Sequence, residues 1–299
     1  MNSKYEQIIK EVNFVRVGIS ETMAPHTTFK IGGPADLFVE IKNENDLTKV
    51  LAVAKNSQIP YFILGGGSNV LIGDKGVRGL TVKISNFKFQ ISNLTNIEVG
   101  AGLPLSLLLD KCVENSLTGL EFMAGIPGTV GGAVRGNSGA WQKNFSDRII
   151  KVKVLTPSGE IEEIDKKDCL FAYRESRFKK SGDIILEAEI ALEKAEGQEI
   201  KKRIKVFLEK RACQPKEPSA GCVFVNPKPL SAGQMIDQCG LKGKSFGGAK
   251  VSEEHANFIV NTGGARAVEV VSLIELVKKA VKEKFNIDLQ EEIVRVGEF

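Results

Sequence analysis

Glycine in this chain is concentrated in two short segments, LGGGSNVL at 64–71 and AGIPGTVGGAVRGNSGA at 124–140. Glycine permits positive φ and close backbone approach, so such loops can turn consecutive N–H groups toward phosphate oxygens. Tight turns account for Gly65 to Gly67 equally well. The familiar nucleotide signatures fail when tested residue by residue. A Walker loop ending at Gly243-Lys244-Ser245 needs its first glycine at 238, which is Gln238. A dinucleotide fingerprint starting at Gly65-x-Gly67 needs glycine at 70, which is Val70, and one starting at Gly100-x-Gly102 needs it at 105, which is Leu105. If these loops hold a diphosphate, they do so in another architecture, two loops closing on it from two subdomains.

The 299 residues are 42% hydrophobic and 26% charged, an ordinary globular composition with room for two or three cores. The net charge of +4 is small and evenly spread, which argues against a nucleic-acid partner and allows small anionic ligands. No stretch approaches the ~20 apolar residues of a membrane span, and MNSKYEQIIKEV is a polar helix pattern without a signal-peptide core, so a cytoplasmic protein is expected. Cysteines at 112, 169, 213, 222 and 239 form no C-x-x-C, the pattern of free thiols rather than disulfides or zinc. With only His26 and His255, a histidine metal site or a Ser-His-Asp triad has few candidates, and no metal is expected.

Between Asp46 and Asn56, Leu47, Val50, Leu51 and Ala54 fall at helical spacing, and the strand-like PYFILGG follows. PLSLLLDKCVENS from Pro104 places Leu105, Leu108, Leu109 and Cys112 on one helical face, which makes Cys112 core. From Lys151 the pattern alternates: VKVLTPSGEIEEI is a hairpin turning at Pro157, Ser158 and Gly159, and DIILEAEIALE from Asp183 is another strand. The charged run KAEGQEIKKRIKVFLEKR carries Ile200, Ile204 and Leu208 as one stripe, with a domain boundary near Gly197. A terminal helix, RAVEVVSLIELVKKAVKEKF, presents Val271, Ile274, Val277, Val281 and Phe285. In PSAGCVFVNP at 218–227, Val223 to Val225 supply a half-buried strand without any thiol, so Cys222 is optional for folding and stands where a side chain can meet a ligand. The expected architecture is three α+β pieces, 1–85, 86–197 and 198–299, two making one ligand cleft and the third closing it.

Taken in order, TTFKIGGPAD at 27–36, the two glycine loops, YRESRFK at 173–179, PSAGCVF, VSEEHANFIVN and LQEEIVRVGE resemble the UDP-N-acetylenolpyruvoylglucosamine reductase (MurB) family over nearly the whole chain. The resemblance implies an α+β fold, with a two-subdomain FAD-binding part of the vanillyl-alcohol-oxidase (PCMH) type and a C-terminal α+β domain for the UDP-sugar. It implies FAD against Gly65, Gly66, Gly67, Ser68 and Asn69 of the first loop and Gly125, Ile126, Pro127, Gly128, Thr129, Gly131 and Gly132 of the second. Asn137, Gly139 and Ala140 are then expected near the isoalloxazine. In that family NADPH reduces FAD, NADP leaves, and UDP-N-acetylglucosamine enolpyruvate takes its place. Hydride from flavin N5 adds to C3, and the charge left at C2 and on the carboxylate calls for a cation and a proton source. The product is UDP-N-acetylmuramate, a peptidoglycan precursor. A monomer is expected.

By the same likeness Arg174 holds the carboxylate, which suits a guanidinium that binds bidentately and keeps its charge. Glu292 supports the enol or relays a proton, although Glu291 beside it would point the opposite way along a strand. Cys222 falls at the proton donor to C2, a position most members fill with serine. A thiol, with a reference pKa of about 8.5, is a far stronger acid than an aliphatic hydroxyl but loses its proton at mildly alkaline pH. The competing reading of Cys222 is a small buried hydrophobe. Tyr173, Asn226, Gln234, His255 and Asn257 are expected near the UDP-sugar, and the last four could equally satisfy backbone groups in loops. Val225 stands where relatives carry a basic or polar residue, and Trp141 where a tyrosine is common. Two further readings of function are an FAD-dependent oxidase or dehydrogenase of a hydroxy acid or sugar alcohol on the same fold, and a non-catalytic nucleotide-binding module.

Overall fold

The computed structural model describes residues 3–12 and 14–299, with the side chains of Ser3, Lys4 and Glu11 left aside. Met1 and Asn2 of the expected N-terminal helix lie outside the described residues, and the helix itself runs Ser3–Glu11. The chain forms two compact units: Met1–Val17, Phe38–Gly66 and Thr81–Ala212 in the first, Gly18–Leu37, Gly67–Leu80 and Cys213–Phe299 in the second. One four-stranded sheet has the order Arg16–Thr22, Pro34–Ile41, Val77–Ile84, Tyr61–Leu64.

The first unit is organised on a five-stranded antiparallel sheet in the order Ile161–Asp165, Ile149–Leu155, Ile184–Ala191, Asn96–Gly100, Phe89–Ile91. Val152, Val154, Ala188, Ile190, Ile97 and Val99 are buried along its central strands, the inward half of the alternation. The expected hairpin is present: Leu155 pairs with Ile161, and Thr156 N–H donates to Glu160 C=O at 2.8 Å. Gly159 takes φ 97° there, which a side chain would strain. Helix Glu44–Asn56 starts where Asn43 accepts from the Asp46 N–H at 2.8 Å, and it buries Leu47, Val50, Leu51 and Ala54. Helix Leu105–Glu114 buries Leu105, Leu108, Leu109 and Cys112, whose thiol is pushed up to about 12 by burial first and by Glu121 second. Helix Gly197–Lys210 buries Ile200 alone. Leu208 is exposed, because the last turn of this helix turns Phe207 and Lys210 toward Trp141 instead.

The second unit carries a four-stranded antiparallel sheet in the order Ser219–Cys222, Phe258–Asn261, Ala249–Val251, Ser245–Phe246, with helices Ala232–Gln238 and Ala267–Phe285. Its core includes Phe29, Phe224, Met235, Ile236, Leu273, Ile274, Val277 and Val281. The terminal helix uses the expected face: Ile274, Val277 and Val281 are buried and Val271 and Phe285 pack partly covered against the same core, which also takes in Ala267, Val270 and Leu273. The buried face is wider than the expected stripe, as for a helix packed on a core along its length. Strand Val294–Val296 runs parallel to Val70–Ile72.

The N-terminus of helix Ala267–Phe285 is satisfied from far along the chain. Asp74 accepts from the Ala267 N–H at 2.8 Å and from the Val268 N–H at 3.1 Å. A carboxylate here meets two otherwise unbonded donors and the positive end of the helix dipole. Asp74→Ala is expected to lower stability by about 1–2 kcal/mol in urea unfolding, and an unchanged midpoint would remove this cap from the account.

Among the described residues, no helix is long and apolar enough to cross a membrane, and no group of His, Cys, Asp and Glu could hold a metal ion. Among the described residues the five cysteines form no disulfide.

Candidate functional site

Within the first unit the start of the first glycine loop lies against the second. A Cβ on Gly66 would fall 2.7 Å from Gly128 Cα, and one on Gly65 would fall 2.8 Å from Thr129 Oγ1. The backbone around this contact is pinned by Leu105 N–H to Gly128 C=O at 3.0 Å, Val130 N–H to Leu103 C=O at 3.0 Å and Gly131 N–H to Ala101 C=O at 2.8 Å. Gly125 and Gly128 sit at φ 76° and 127°, a second reason for glycine at these positions. Thr129 Oγ1 is buried and has no hydrogen-bond partner among the described residues. An orphaned hydroxyl of this kind costs about 1–3 kcal/mol, and a polar ligand group would relieve it. Gly66, Gly125 and Pro127 are exposed, Gly65, Ile126, Gly128, Gly131 and Ala140 half-buried, and Gly132 exposed. A hydroxyl wanting a partner beside exposed, side-chain-free backbone fits the diphosphate of FAD. Gly66→Ala is accordingly expected to weaken FAD binding about tenfold or more, read by flavin fluorescence titration, since a 1.4 kcal/mol strain already costs that factor. Unaltered affinity would mean that the loops part without cost.

Asn137 closes helix Val130–Gly136 in a left-handed conformation, φ 43°. Both ends of its amide are bonded to backbone: Nδ2 donates to Ala172 C=O at 2.8 Å, and Oδ1 accepts from Ser146 N–H at 3.1 Å. The residue ties the helix end to the YRESRFK turn. There Ala172 and Glu175 exchange two backbone bonds of 3.1 Å around Arg174, itself left-handed at φ 56°. Arg174 donates to Gly139 C=O at 3.0 Å, and its guanidinium lies 5.5 Å from the Tyr173 ring centroid. Tyr173 is 52% exposed. Trp141 is met by Phe207, at 5.1 Å between centroids, and by the Arg211 guanidinium at 4.5 Å, while Arg211 Nε donates to Ala124 C=O at 2.8 Å. Arg211 braces the second glycine loop, a role hidden in a run that reads as solvated charge.

In the second unit Gly67, at φ 63°, is buried against the His26–Thr27 backbone and accepts from Thr28 N–H at 3.0 Å, while Ser68 and Asn69 lead into strand Val70–Ile72. Thr28 Oγ1 donates to Ser219 C=O at 2.7 Å, at the start of the Cys222 strand. Cys222 is half-buried, paired in register with Phe258, and follows Gly221 at φ 75°, where an added Cβ would meet nothing within 4 Å. The segment bearing Glu292 lies beside that strand: Glu292 N–H donates to Val223 C=O at 2.8 Å and Val225 N–H to Gln290 C=O at 2.9 Å. Asn69 Nδ2 donates to Glu292 C=O at 3.0 Å. The structure therefore brings Cys222, Glu292 and the end of the first loop into one set of paired backbones. Glu291 is turned aside, its carboxylate bonded to Arg295 at 2.8 Å and to Lys278.

Of the residues with two sequence readings, Asn257 is 1% exposed and spends its amide on Phe224, donating to its C=O at 2.8 Å and accepting from its N–H at 3.0 Å. Gln234 forms a capping box with Ser231, and Asn226 accepts from Ala232 N–H at 3.0 Å; both are exposed. His255 accepts from Asn257 N–H at 3.2 Å and meets Phe258 edge-on, and burial holds its pKa below the ordinary imidazole value.

Comparison with known proteins places these features in a family. Residues 35–165, which contain both glycine loops, match the model of an FAD binding domain, and residues 214–296, which contain Cys222 and Glu292, match the C-terminal domain of UDP-N-acetylenolpyruvoylglucosamine reductase. The reductase of Caldanaerobacter subterraneus subsp. tengcongensis is 42% identical over 99% of this chain and 97% of its own length. That of Halalkalibacterium halodurans is 39% identical over 98% and 99%. The crystal structure of the Thermus caldophilus enzyme superposes with a TM-score of 0.80 at 34% identity, covering 94% of this chain and 98% of that one. An alkyldihydroxyacetonephosphate synthase at 15% identity and a TM-score of 0.51, over 65% of this chain and 40% of its own, shares the fold alone. The chain belongs to the UDP-N-acetylenolpyruvoylglucosamine reductase family.

Proposed function

We propose that this chain is an FAD-dependent reductase that uses NADPH to convert UDP-N-acetylglucosamine enolpyruvate to UDP-N-acetylmuramate in peptidoglycan precursor synthesis. The full-length identity of 42% to a reductase of that name carries the reading, and the orphaned Thr129 hydroxyl among side-chain-free loops supports it. FAD, when bound, supplies a two-electron carrier that NADPH can reduce and an electron-poor alkene can oxidise.

The chain's own residues do the rest. Gly65 to Asn69, Gly125 to Thr129, Gly131 and Gly132 offer backbone N–H groups and the Thr129 hydroxyl to the diphosphate, and Gly139 and Ala140 face the isoalloxazine. Arg174 binds the enolpyruvyl carboxylate and stabilises charge that builds there in the transition state. Cys222 Sγ delivers the proton to C2, and Glu292 supports the enol or passes a proton onward. Tyr173, Asn226, Gln234 and His255 contact the UDP-sugar, whereas Asn137 and Asn257 serve through the backbones that they hold. Residues 1–85 and 86–197 form the flavin-binding pieces and 198–299 the sugar-nucleotide piece, in a cytoplasmic monomer.

Turnover in deuterated water tests this directly. NADPH consumption should depend on the enolpyruvyl sugar nucleotide, and the product should carry solvent deuterium at C2 of the lactyl ether. Oxygen consumption driven by a hydroxy acid or sugar alcohol without NADPH would assign the chain to oxidase chemistry instead.

A further inference from the structure

The carboxylate of Glu291 is clamped by two cations from different parts of the second unit. Arg295 grips it bidentately, Nε to Oε2 and NH2 to Oε1 at 2.8 Å each, and Lys278 of helix Ala267–Phe285 bonds Oε1. Glu275, one turn earlier on that helix, closes the ring, 2.7 Å from Arg295 and 3.6 Å from Lys278. Burial works against the charge on Glu291, yet Arg295 and Lys278 outweigh it and hold its carboxyl below the usual carboxylate range. At 17% side-chain exposure the Glu291 carboxylate is screened less than a surface pair.

Its position gives it a use. Leu289 and Ile293 are buried on either side, at 4% exposure each, and Phe224 bridges to Glu291 itself. The backbone between them runs along the strand that follows Cys222 and carries Glu292 as the next residue. In extended chain, fixing one side chain to one face commits its neighbour to the other. We propose that Glu291, locked by Arg295 and Lys278, is a positioning residue that sets the presentation of Glu292. This rests on the role of Glu292 in the reaction proposed above. Nothing in the reaction requires a second acid here, and an apolar residue would fill the same half-buried position; the bidentate clamp adds orientation.

The test is a double-mutant cycle on the holoenzyme, following each half-reaction separately by flavin absorbance, with thermal unfolding as a folding control. Glu291→Gln should slow reoxidation by the enolpyruvyl sugar nucleotide about tenfold to a hundredfold, leave reduction by NADPH unchanged, and lower kcat with little change in KM. Arg295→Lys, which keeps charge but loses the fork, should fall between wild type and Glu291→Gln. The double variant Glu291→Gln, Glu292→Gln should be no slower than Glu292→Gln alone, because the first acts through the second. Additive losses, or equal losses in both half-reactions, would overturn the positioning role. Full activity of Glu291→Gln beside an impaired Glu292→Gln would also overturn it. Full activity of Glu292→Gln would instead overturn the role of Glu292 on which the inference rests.

Discussion

Cys222→Ala should leave the bleaching of bound flavin by NADPH intact and slow its reoxidation by the enolpyruvyl sugar nucleotide about a hundredfold to ten-thousandfold, the usual contribution of a positioned proton donor. The residue is suited to such a test, because removing its Sγ asks little of the fold. Cys222 is only half-buried, it pairs through its backbone with Phe258, and the apolar work of the strand is done by Val223 and Phe224, each 1% exposed. Cys222→Ser should retain substantial activity while changing its pH dependence. A donor must be protonated, and thiols as a class lose their proton in the mildly alkaline range, so activity with the thiol should decline there. A serine hydroxyl does not titrate in that range, and its alkaline limb should move upward. Equal reoxidation rates for Ala and Cys across pH would return Cys222 to the status of a small hydrophobe.

Arg174→Ala should reduce kcat/KM for the enolpyruvyl sugar nucleotide about a thousandfold, the order expected when one partner of a desolvated, charge-assisted pair is truncated. Reduction by NADPH should be affected far less, since the carboxylate belongs to the sugar substrate. Arg174→Lys should recover only part of the loss. An ammonium keeps the charge but cannot form two parallel bonds to a carboxylate while also reaching Gly139 C=O, which Arg174 NH2 now bonds at 3.0 Å. The left-handed backbone of residue 174, at φ 56°, is strained by about 1–2 kcal/mol in alanine as in arginine, so the two variants compare cleanly. A thousandfold loss accompanied by an equal loss in the NADPH half-reaction would point to collapse of the 172–175 turn rather than to a missing cation.

What the sequence made legible was local. The helix faces of Leu47 to Ala54 and Leu105 to Cys112 followed from spacing, because a single helix can bury only one stripe. The hairpin at Pro157 to Gly159 followed from turn chemistry. The terminal helix face of Ile274, Val277 and Val281 also followed from spacing, while the burial of Val270 and Leu273 beside it depends on the width of the surface against which the helix packs. The long-range partnerships lay beyond any window. Asp74 caps a helix that starts at residue 267, Thr28 holds Ser219, and Arg211 props Ala124 beneath Trp141. Each is a single polar side chain whose reach depends on topology, and nothing in its neighbours distinguishes it from a solvated one. The candidate site divides the same way. The motifs pointed to Arg174, Cys222 and Glu292, but that Asn257 bonds Phe224 and Asn137 bonds Ala172 and Ser146 is visible only once the strands are paired.

The most direct test of the whole account is the visible spectrum of the purified protein under anaerobic conditions, recorded alone, after NADPH, and after UDP-N-acetylglucosamine enolpyruvate. The account predicts a flavin spectrum that bleaches with NADPH and returns when the enolpyruvyl sugar nucleotide is added. Reduced flavin that the sugar nucleotide cannot reoxidise, or a protein that takes up no FAD, would contradict it.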